Sequence, residues 1–389
     1  MKVGQQRHSE GCQDRDSPMK LHELILRKVR LPLVRPYVLS YRTFTEFEPI
    51  IVEARDSDGR IGWGEGHISP NSSSETRGGG WAFCREHAAA IVGKDTKAAK
   101  AIISGHVGDS KVAATALLTA IEMLEDHPLL QIERETRLPL LTPFNSSTPK
   151  EIDEEVELRL EEGFRTFKIK VGKDPDADLV RVQAIQRAIE GRATMRLDAN
   201  RAYTQAAACR FAAALDPSGI ELFEQPCAAE DWDANAKVAK VSTVPIMLDE
   251  PICAPIDIER AAEIRNVGFC KLKLKRFGGL DLLKEALEKV RQYGMEPVLG
   301  DGLSSELGCW MEACVASVTI RNAGEFNGFL KPNVRLFAEP LRFAAGELVL
   351  SPEFMPTIDG DALAAHEIAC ERFVSASSAR RQPRQGIGC

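Results

Sequence analysis

Histidine is scarce in this 389-residue chain, with seven residues at positions 8, 22, 67, 87, 106, 127 and 366, and none lies between His127 and His366. Any acid–base or metal chemistry in that long stretch must use other groups. A basic excess is also missing: 50 Lys and Arg stand against 57 Asp and Glu, a formal net charge of −7. That balance gives no electrostatic footprint for nucleic acid or an anionic membrane. No apolar run approaches the roughly 18 residues of a membrane span, and the N-terminus lacks an apolar signal core. The ten cysteines form no Cys-x-x-Cys pair. Several, including Cys270 and Cys314, sit in apolar patterns, which predicts reduced, buried thiols and a cytoplasmic protein.

Apolar residues make up 44% and charged residues 28% of the chain, enough to bury one barrel core and a smaller domain. Five ionisable residues recur through the middle: Lys170, Asp198, Glu224, Asp249 and Lys273. Each closes a short run of strand character: Thr166 to Lys170, Thr194 to Asp198, Glu221 to Glu224, Pro245 to Asp249 and Phe269 to Lys273. Between them lie stretches of helical periodicity, such as Asp176 to Ile189 and Leu280 to Tyr293. A strand–helix repeat of this length predicts a parallel βα barrel, an α/β fold whose sites gather at the C-terminal strand ends. Three carboxylates flanked by two lysines would therefore converge there.

Three acidic strand ends side by side would repel at low dielectric, and a hard divalent cation resolves the repulsion. Oxygen-only ligation favours Mg²⁺, with Mn²⁺ as the alternative, whereas zinc would want the His or Cys that these positions lack. The competing reading is three solvated turn residues. Lys168 and Lys170 stand two apart on one strand and so share a face, here the barrel interior. One ammonium disfavours another beside it, which keeps a lysine usable as a base near neutral pH. Lys271, Lys273 and Lys275 repeat the alternation. Lys271 could act on Lys273 in the same way, or simply pair with a strand-end carboxylate.

Before the barrel, Leu21 to Val34 and Glu48 to Glu65 read as strands, the latter turning at Asp56-Ser57-Asp58-Gly59. A Ser/Gly-rich loop from His67 to Gly80 and helices over Trp81 to Ile91 and Ala113 to Leu124 follow, so residues 19–137 are expected to form an α+β domain. Residues 1–18 are polar and predict a disordered extension. The barrel is expected over 138–340, beginning at Leu138-Pro139-Leu140-Leu141. Residues 341–374 would return to the first domain, leaving a loose tail over 375–389.

The motifs Phe167-Lys168-Ile169-Lys170-Val171-Gly172, Leu197-Asp198-Ala199-Asn200, Phe223-Glu224-Gln225-Pro226, Asp249-Glu250 and Lys273-Leu274-Lys275-Arg276-Phe277-Gly278-Gly279 resemble the enolase superfamily. Within it they look like the muconate lactonizing enzyme subgroup, over residues of about 20 to 350. The resemblance implies a modified (β/α)8-type barrel under an α+β capping domain. It implies Mg²⁺ ligation by Asp198, Glu224 and Asp249, an acid/base pair of Lys170 and Lys273 on opposite faces of the substrate, and Lys168 tuning Lys170. Asn200 and Glu250, in the same motifs, are candidates to support the ligands or touch substrate. The implied chemistry is removal of a proton α to a carboxylate, giving an enolate held by the metal. The mandelate racemase subgroup uses a His/Asp dyad from later strands, which the histidine positions rule out here.

Dipeptide epimerases of the subgroup carry Asp-x-Asp at the eighth strand to receive the substrate ammonium. This chain has Glu325-Phe326-Asn327-Gly328-Phe329, which disfavours a dipeptide; Glu325 could meet a substrate group or act as a supporting hydrogen-bond acceptor. Asp301, in Leu299-Gly300-Asp301-Gly302, could touch substrate or cap a helix beginning near Ser304. Loops over Tyr37 to Glu46 and His67 to Trp81 are expected to close over the barrel, with Tyr41, Phe44, His67 and Trp81 as candidates for selectivity. Two opposed lysines permit β-elimination, racemisation or epimerisation, or cycloisomerisation. The order expected is a dehydratase on a small amino-acid-type carboxylate such as a hydroxyproline, then a racemase or epimerase, then a cycloisomerase. A metal-binding barrel without turnover is the non-enzymatic alternative. The subgroup's habit implies a homo-oligomer.

Overall fold

The computed structural model describes residues 18–38, 43–70, 74–352 and 354–376. Tyr41, nearly all of the N-terminal extension and most of the C-terminal tail lie outside them. The chain opens with β1 (Glu23–Val29), β2 (Leu31–Val38), β3 (Thr43–Phe47), β4 (Ile50–Arg55) and β5 (Ile61–Gly66). The expected strand from Leu21 to Val34 is thus two strands: β1 joins a four-stranded antiparallel sheet, while β2 leaves it to pair with β3 as a separate hairpin. Helices α1 (Arg77–Ile91), α2 (Thr96–Ser104) and α3 (Lys111–Leu124) cover that sheet.

Gly62 and Gly64 face α3, because alternate strand residues share a face. A Cβ at Gly62 would lie 2.1 Å from the Ala120 carbonyl oxygen, and one at Gly64 would lie 2.0 Å from that of Ala116. Only glycine lets helix and strand approach so closely. Every α3 residue from Val112 to Leu124 is buried, since the helix lies between the capping sheet and the barrel.

Next come β6 (Thr136–Pro139), β7 (Thr142–Phe144), α4 (Pro149–Glu161), β8 (Thr166–Lys170), α5 (Pro175–Ile189), β9 (Thr194–Asp198), α6 (Gln205–Ala214), β10 (Ile220–Glu224) and α7 (Trp232–Val241). They continue as β11 (Ile246–Leu248), α8 (Pro255–Ala262), β12 (Val267–Leu272), α9 (Leu274–Phe277), α10 (Leu280–Gln292), β13 (Glu296–Leu299) and α11 (Glu306–Thr319). Strands β7 to β13 form one parallel sheet in chain order. The segment at Gly324 and Glu325 closes it: Leu141 N donates to Gly324 O at 3.0 Å and Glu325 N to Leu299 O at 2.9 Å. The barrel strand is therefore β7. Of the segment Leu138 to Leu141, expected to begin the barrel, Leu138 and Pro139 instead pair within β6 antiparallel with β15 (Glu347–Leu350), beside β14 (Arg342–Ala344), while Leu140 and Leu141 meet Gly324 at the barrel's closure. After α12 (Gly360–His366), only β16 (Glu367–Val374) rejoins the capping sheet, against β1.

Two cores result, one around the barrel strands and helices and one in the capping domain. Helix α10 shows the outer packing: Leu280, Leu283, Ala286, Leu287 and Val290 are buried at helical spacing, and each leucine contributes about 1.5–3 kcal/mol by burial. Inside the barrel, Leu222, Met247 and Val298 form a small apolar plug with Phe269. Capping-domain acids tie the two domains. Glu65 of β5 accepts from Ser305 N and Gly308 N, both at 2.7 Å, at the start of α11. Glu122 of α3 accepts from Leu280 N at 3.0 Å at the start of α10, so both fill donors that a helix leaves unpaired. Every described cysteine is a free thiol. Among the described residues no helix is long and apolar enough to cross a membrane.

Candidate active site

Above the apolar plug the barrel interior turns ionic. Strands β8, β9 and β10 end at Lys170, Asp198 and Glu224, and Asp249 and Lys273 directly follow β11 and β12. Lys170 and Lys273 thus stand on the outer two of five adjacent strands, and the three carboxylates come from the strands between. Alternation puts Lys168, Asp198, Glu224 and Lys271 into the same interior, all buried.

Lys168 lies 2.9 Å from Asp198 Oδ2, 2.8 Å from Glu224 Oε2 and 2.9 Å from Glu325 Oε2. Burial would lower its pKa, but Asp198, Glu224 and Glu325 outweigh that and hold Lys168 protonated. Lys271 pairs with Glu224 Oε1 at 3.1 Å and with Glu325. Glu325 is therefore a buried acceptor between two lysines, and Lys271 is a carboxylate partner. Burial would raise the Asp198 carboxyl, but Lys168 and Lys170 reverse this and bring it down to about 2. Burial and then Asp198 push Glu224 upward.

Lys170 Nζ donates to Asp198 Oδ2 at 2.5 Å and to Asn200 Oδ1 at 2.6 Å. Asn200 N in turn donates to Asp198 Oδ1 at 2.8 Å, so this asparagine positions both. Asn200 (φ 42°), Arg201 (φ 69°) and Gln225 (φ 40°) adopt the left-handed region just after β9 and β10. Strain of about 1–3 kcal/mol per such residue persists where surrounding bonds hold it. Gln225 shows such a bond, its Oε1 accepting from Asp249 N at 3.0 Å.

Across the barrel, Lys273 Nζ donates to Asp249 Oδ2 at 2.9 Å. Arg276 Nη1 donates to Asp249 Oδ1 at 2.8 Å, a contact that sequence reasoning missed although Arg276 lies in a quoted motif. Burial, then Arg276, lowers the Lys273 pKa, with Lys271 adding to the effect. Glu250 is raised to about 7 by burial and by Asp249, and lies 3.3 Å from Arg201.

The alternation expected through Lys275 stops at Leu272, because Lys273 caps α9 and Lys275 lies within it. Lys275 pairs with Asp301. The N-cap of α11 is Ser305, so the side chain of Asp301 does not cap that helix. His67 is buried, its ring 5.2 Å from that of Phe47 and 6.4 Å from that of Phe44, while its carbonyl faces Lys275 at 3.4 Å. Trp81 packs against the capping core under Lys28.

The donor chemistry suits a hard divalent cation, with three carboxylates on adjacent strand ends and no His or Cys among them. Among the described residues no three His, Cys, Asp or Glu groups are gathered closely enough to hold a metal ion. Lys170 and Lys273 lie against Asp198 and Asp249, so ligation would require those two side chains to turn aside.

Residues 151–354 match the family described as enolase C-terminal domain-like. The chain is 27% identical over 325 residues to the L-Ala-D/L-Glu epimerase of Bacillus subtilis, covering 79% of this chain and 88% of that protein. It is 28% identical over 355 residues to muconate cycloisomerase 1 of Acinetobacter baylyi, covering 86% and 96%. The fold superposes on the dipeptide epimerase of Cytophaga hutchinsonii, solved with Mg and D-Ala-L-Val, with a TM-score of 0.80, 21% identity and coverage of 92% and 99%. The chain therefore belongs to the enolase C-terminal domain-like family, as an enzyme of the enolase superfamily whose relatives are muconate lactonizing enzymes, epimerases and racemases.

Proposed function

We propose that this enzyme moves a proton at the carbon α to a substrate carboxylate, using Lys170 and Lys273 as the two proton carriers, and that the outcome is racemisation or epimerisation. The observation that carries the reading is that these lysines stand on either side of the three carboxylates. One lysine, neutral, takes the α-proton: the C–H bond breaks, an N–H bond forms and the electron pair passes into the carboxylate to give an enolate. The other, as ammonium, returns a proton to the opposite face and inverts the centre. Burial and Arg276 ease Lys273 toward its neutral form. Lys168, pinned by three acids, keeps a fixed positive charge beneath the reacting group.

Asp198, Glu224 and Asp249 would hold Mg²⁺, which when bound supplies positive charge facing the enolate oxygens. Arg276 orients Asp249, and Asn200 orients Asp198. Proton transfer at one carbon needs only these groups, and the named relatives include epimerases. It is therefore placed ahead of the dehydration that sequence alone put first.

Proton NMR in D₂O with Mg²⁺, across N-acylated amino acids, dipeptides, free amino acids and hydroxyprolines, tests the reading. Deuterium at the α-carbon with the opposite configuration accumulating is expected. Loss of a β-hydroxyl would assign a lyase instead, and no exchange on any carboxylate would overturn the proposal.

A further inference from the structure

Lys170 and Lys273 leave their strands under different restraint. After Lys170 the sheet goes on: Val171 N donates to Asp198 O at 2.9 Å, an ordinary bond between neighbouring strands. After Lys273 the sheet stops, because Lys273 is the N-cap of α9. An N-cap side chain commonly accepts from the first N–H groups of its helix. A lysine has no acceptor to offer, and Lys273 Nζ is turned to Asp249. The donor at Leu274, the first residue of α9, therefore needs an acceptor from elsewhere.

Glu312 of α11 is that acceptor. Its Oε1 accepts from Leu274 N at 2.9 Å and its Oε2 from Asp301 N at 3.0 Å, so one side chain holds both the chain leaving β12 and the chain leaving β13. One step earlier, Gly300 N joins the same two ends by donating to Leu272 O at 3.1 Å. Glu312 is buried, and an ionised carboxyl there is costly unless its hydrogen bonds are made. Burial and then Asp301 raise it to about 8, with the two N–H bonds and Lys275 opposing. Glu65 and Glu122 make similar bonds at the starts of α11 and α10, with neither proton carrier next in sequence. Glu312 makes its bond at the residue beside Lys273.

We propose that Glu312 is a positioning residue: by fixing Leu274 N together with the neighbouring end of β13, it sets where Lys273 gives and takes its proton, without touching substrate. This rests on the proton-transfer reading, but the hold on Leu274 can be tested without turnover.

The test is Glu312→Gln with Mg²⁺ at about pH 9, where the wild-type carboxylate is ionised. Glutamine keeps the shape, but it offers one acceptor and turns an amide donor toward the other N–H. Both enantiomers of the fastest-exchanging carboxylate of the panel above are followed for α-deuterium, and Lys273→Ala identifies the one that depends on Lys273. Its exchange should fall about ten-fold or more, the scale of one charged hydrogen bond, while that of its mirror image stays within about two-fold. The ratio of the two rates is free of any unfolded fraction. Glu312→Asp, which withdraws the charge by one methylene, should shift the ratio the same way, and Glu122→Gln should leave it as in wild type. Without substrate, amide hydrogen exchange at Leu274 should speed about ten-fold in Glu312→Gln relative to that at Val171. An unchanged ratio, a ratio shifted as much by Glu122→Gln, or an unchanged Leu274 amide would overturn the inference. A freed Leu274 amide in an enzyme whose wild type exchanges no carboxylate of the panel would overturn the proton-transfer reading and leave the hold of Glu312 on Leu274 standing.

Discussion

Glu325→Gln probes the ionic layer that holds the site together. Glu325 is a buried carboxylate between Lys168, at 2.9 Å, and Lys271. With it, three carboxylates (Asp198, Glu224, Glu325) face three ammonium groups (Lys168, Lys170, Lys271). Glutamine keeps the shape and removes one negative charge, leaving two against three. Removing one partner of a buried ion pair costs about 3–5 kcal/mol. Because both lysines keep another acid, the lower end applies, about 3 kcal/mol. At about 2 °C per kcal/mol for a large domain, the melting temperature should fall by about 6 °C.

The loss should depend on pH. Burial alone would raise the Glu325 carboxyl, but Lys168 and Lys271 reverse this and hold it far below the usual range. Its stabilisation is then complete above the unfolded value of about 4.3 and disappears as pH falls toward the folded one. Urea denaturation should show a constant wild-type advantage from pH 5 to 8 that shrinks below about pH 4. A double-mutant cycle with Lys271→Met should give a coupling of about 1 kcal/mol or more. A loss under about 1 kcal/mol, or strict additivity with Lys271→Met, would refute this picture of the layer.

Gly300 has φ 136°, and a Cβ there would lie 2.4 Å from Phe326 N. Gly300→Ala should therefore destabilise by more than about 3 kcal/mol in chemical denaturation. Burial raises the Glu122 carboxyl to about 7, despite the bond from Leu280 N. The stability it contributes is complete below about pH 4.3 and lost as pH rises through about 7, so Glu122→Gln should gain on wild type by up to about 3 kcal/mol at pH 8 in urea denaturation. Mg²⁺ added at about 100 times its Kd to chelator-treated protein should stabilise it by about 2.7 kcal/mol. Asp249→Asn should diminish that thermal shift.

The ionisable strand ends were legible because a barrel strand reports itself locally. Apolar residues such as Phe167 and Ile169 face the helices, and the ionisable residues between and after them face inward, so periodicity and spacing suffice. Where pairing depends on distant chain, local pattern misled. Leu138 and Pro139 look like the start of a barrel strand, but β15, some 200 residues on, claims them. The β1–β2 break was hidden because one strand pairs within the sheet and the next leaves it. Arg276 was overlooked for a different reason. An arginine in a short helix looks like a surface charge until Asp249 is laid against it.

The central claim, that Lys170 and Lys273 carry protons to and from opposite faces of one carbon, is tested most directly by stereochemically resolved exchange. Each enantiomer of a turned-over substrate would be followed by proton NMR in D₂O with wild type, Lys170→Ala and Lys273→Ala. Each variant should lose net inversion by about 100-fold or more. One should still exchange the α-proton of one enantiomer, and the other that of its mirror image. Inversion persisting in either variant, or both variants retaining exchange of the same enantiomer, would contradict the account.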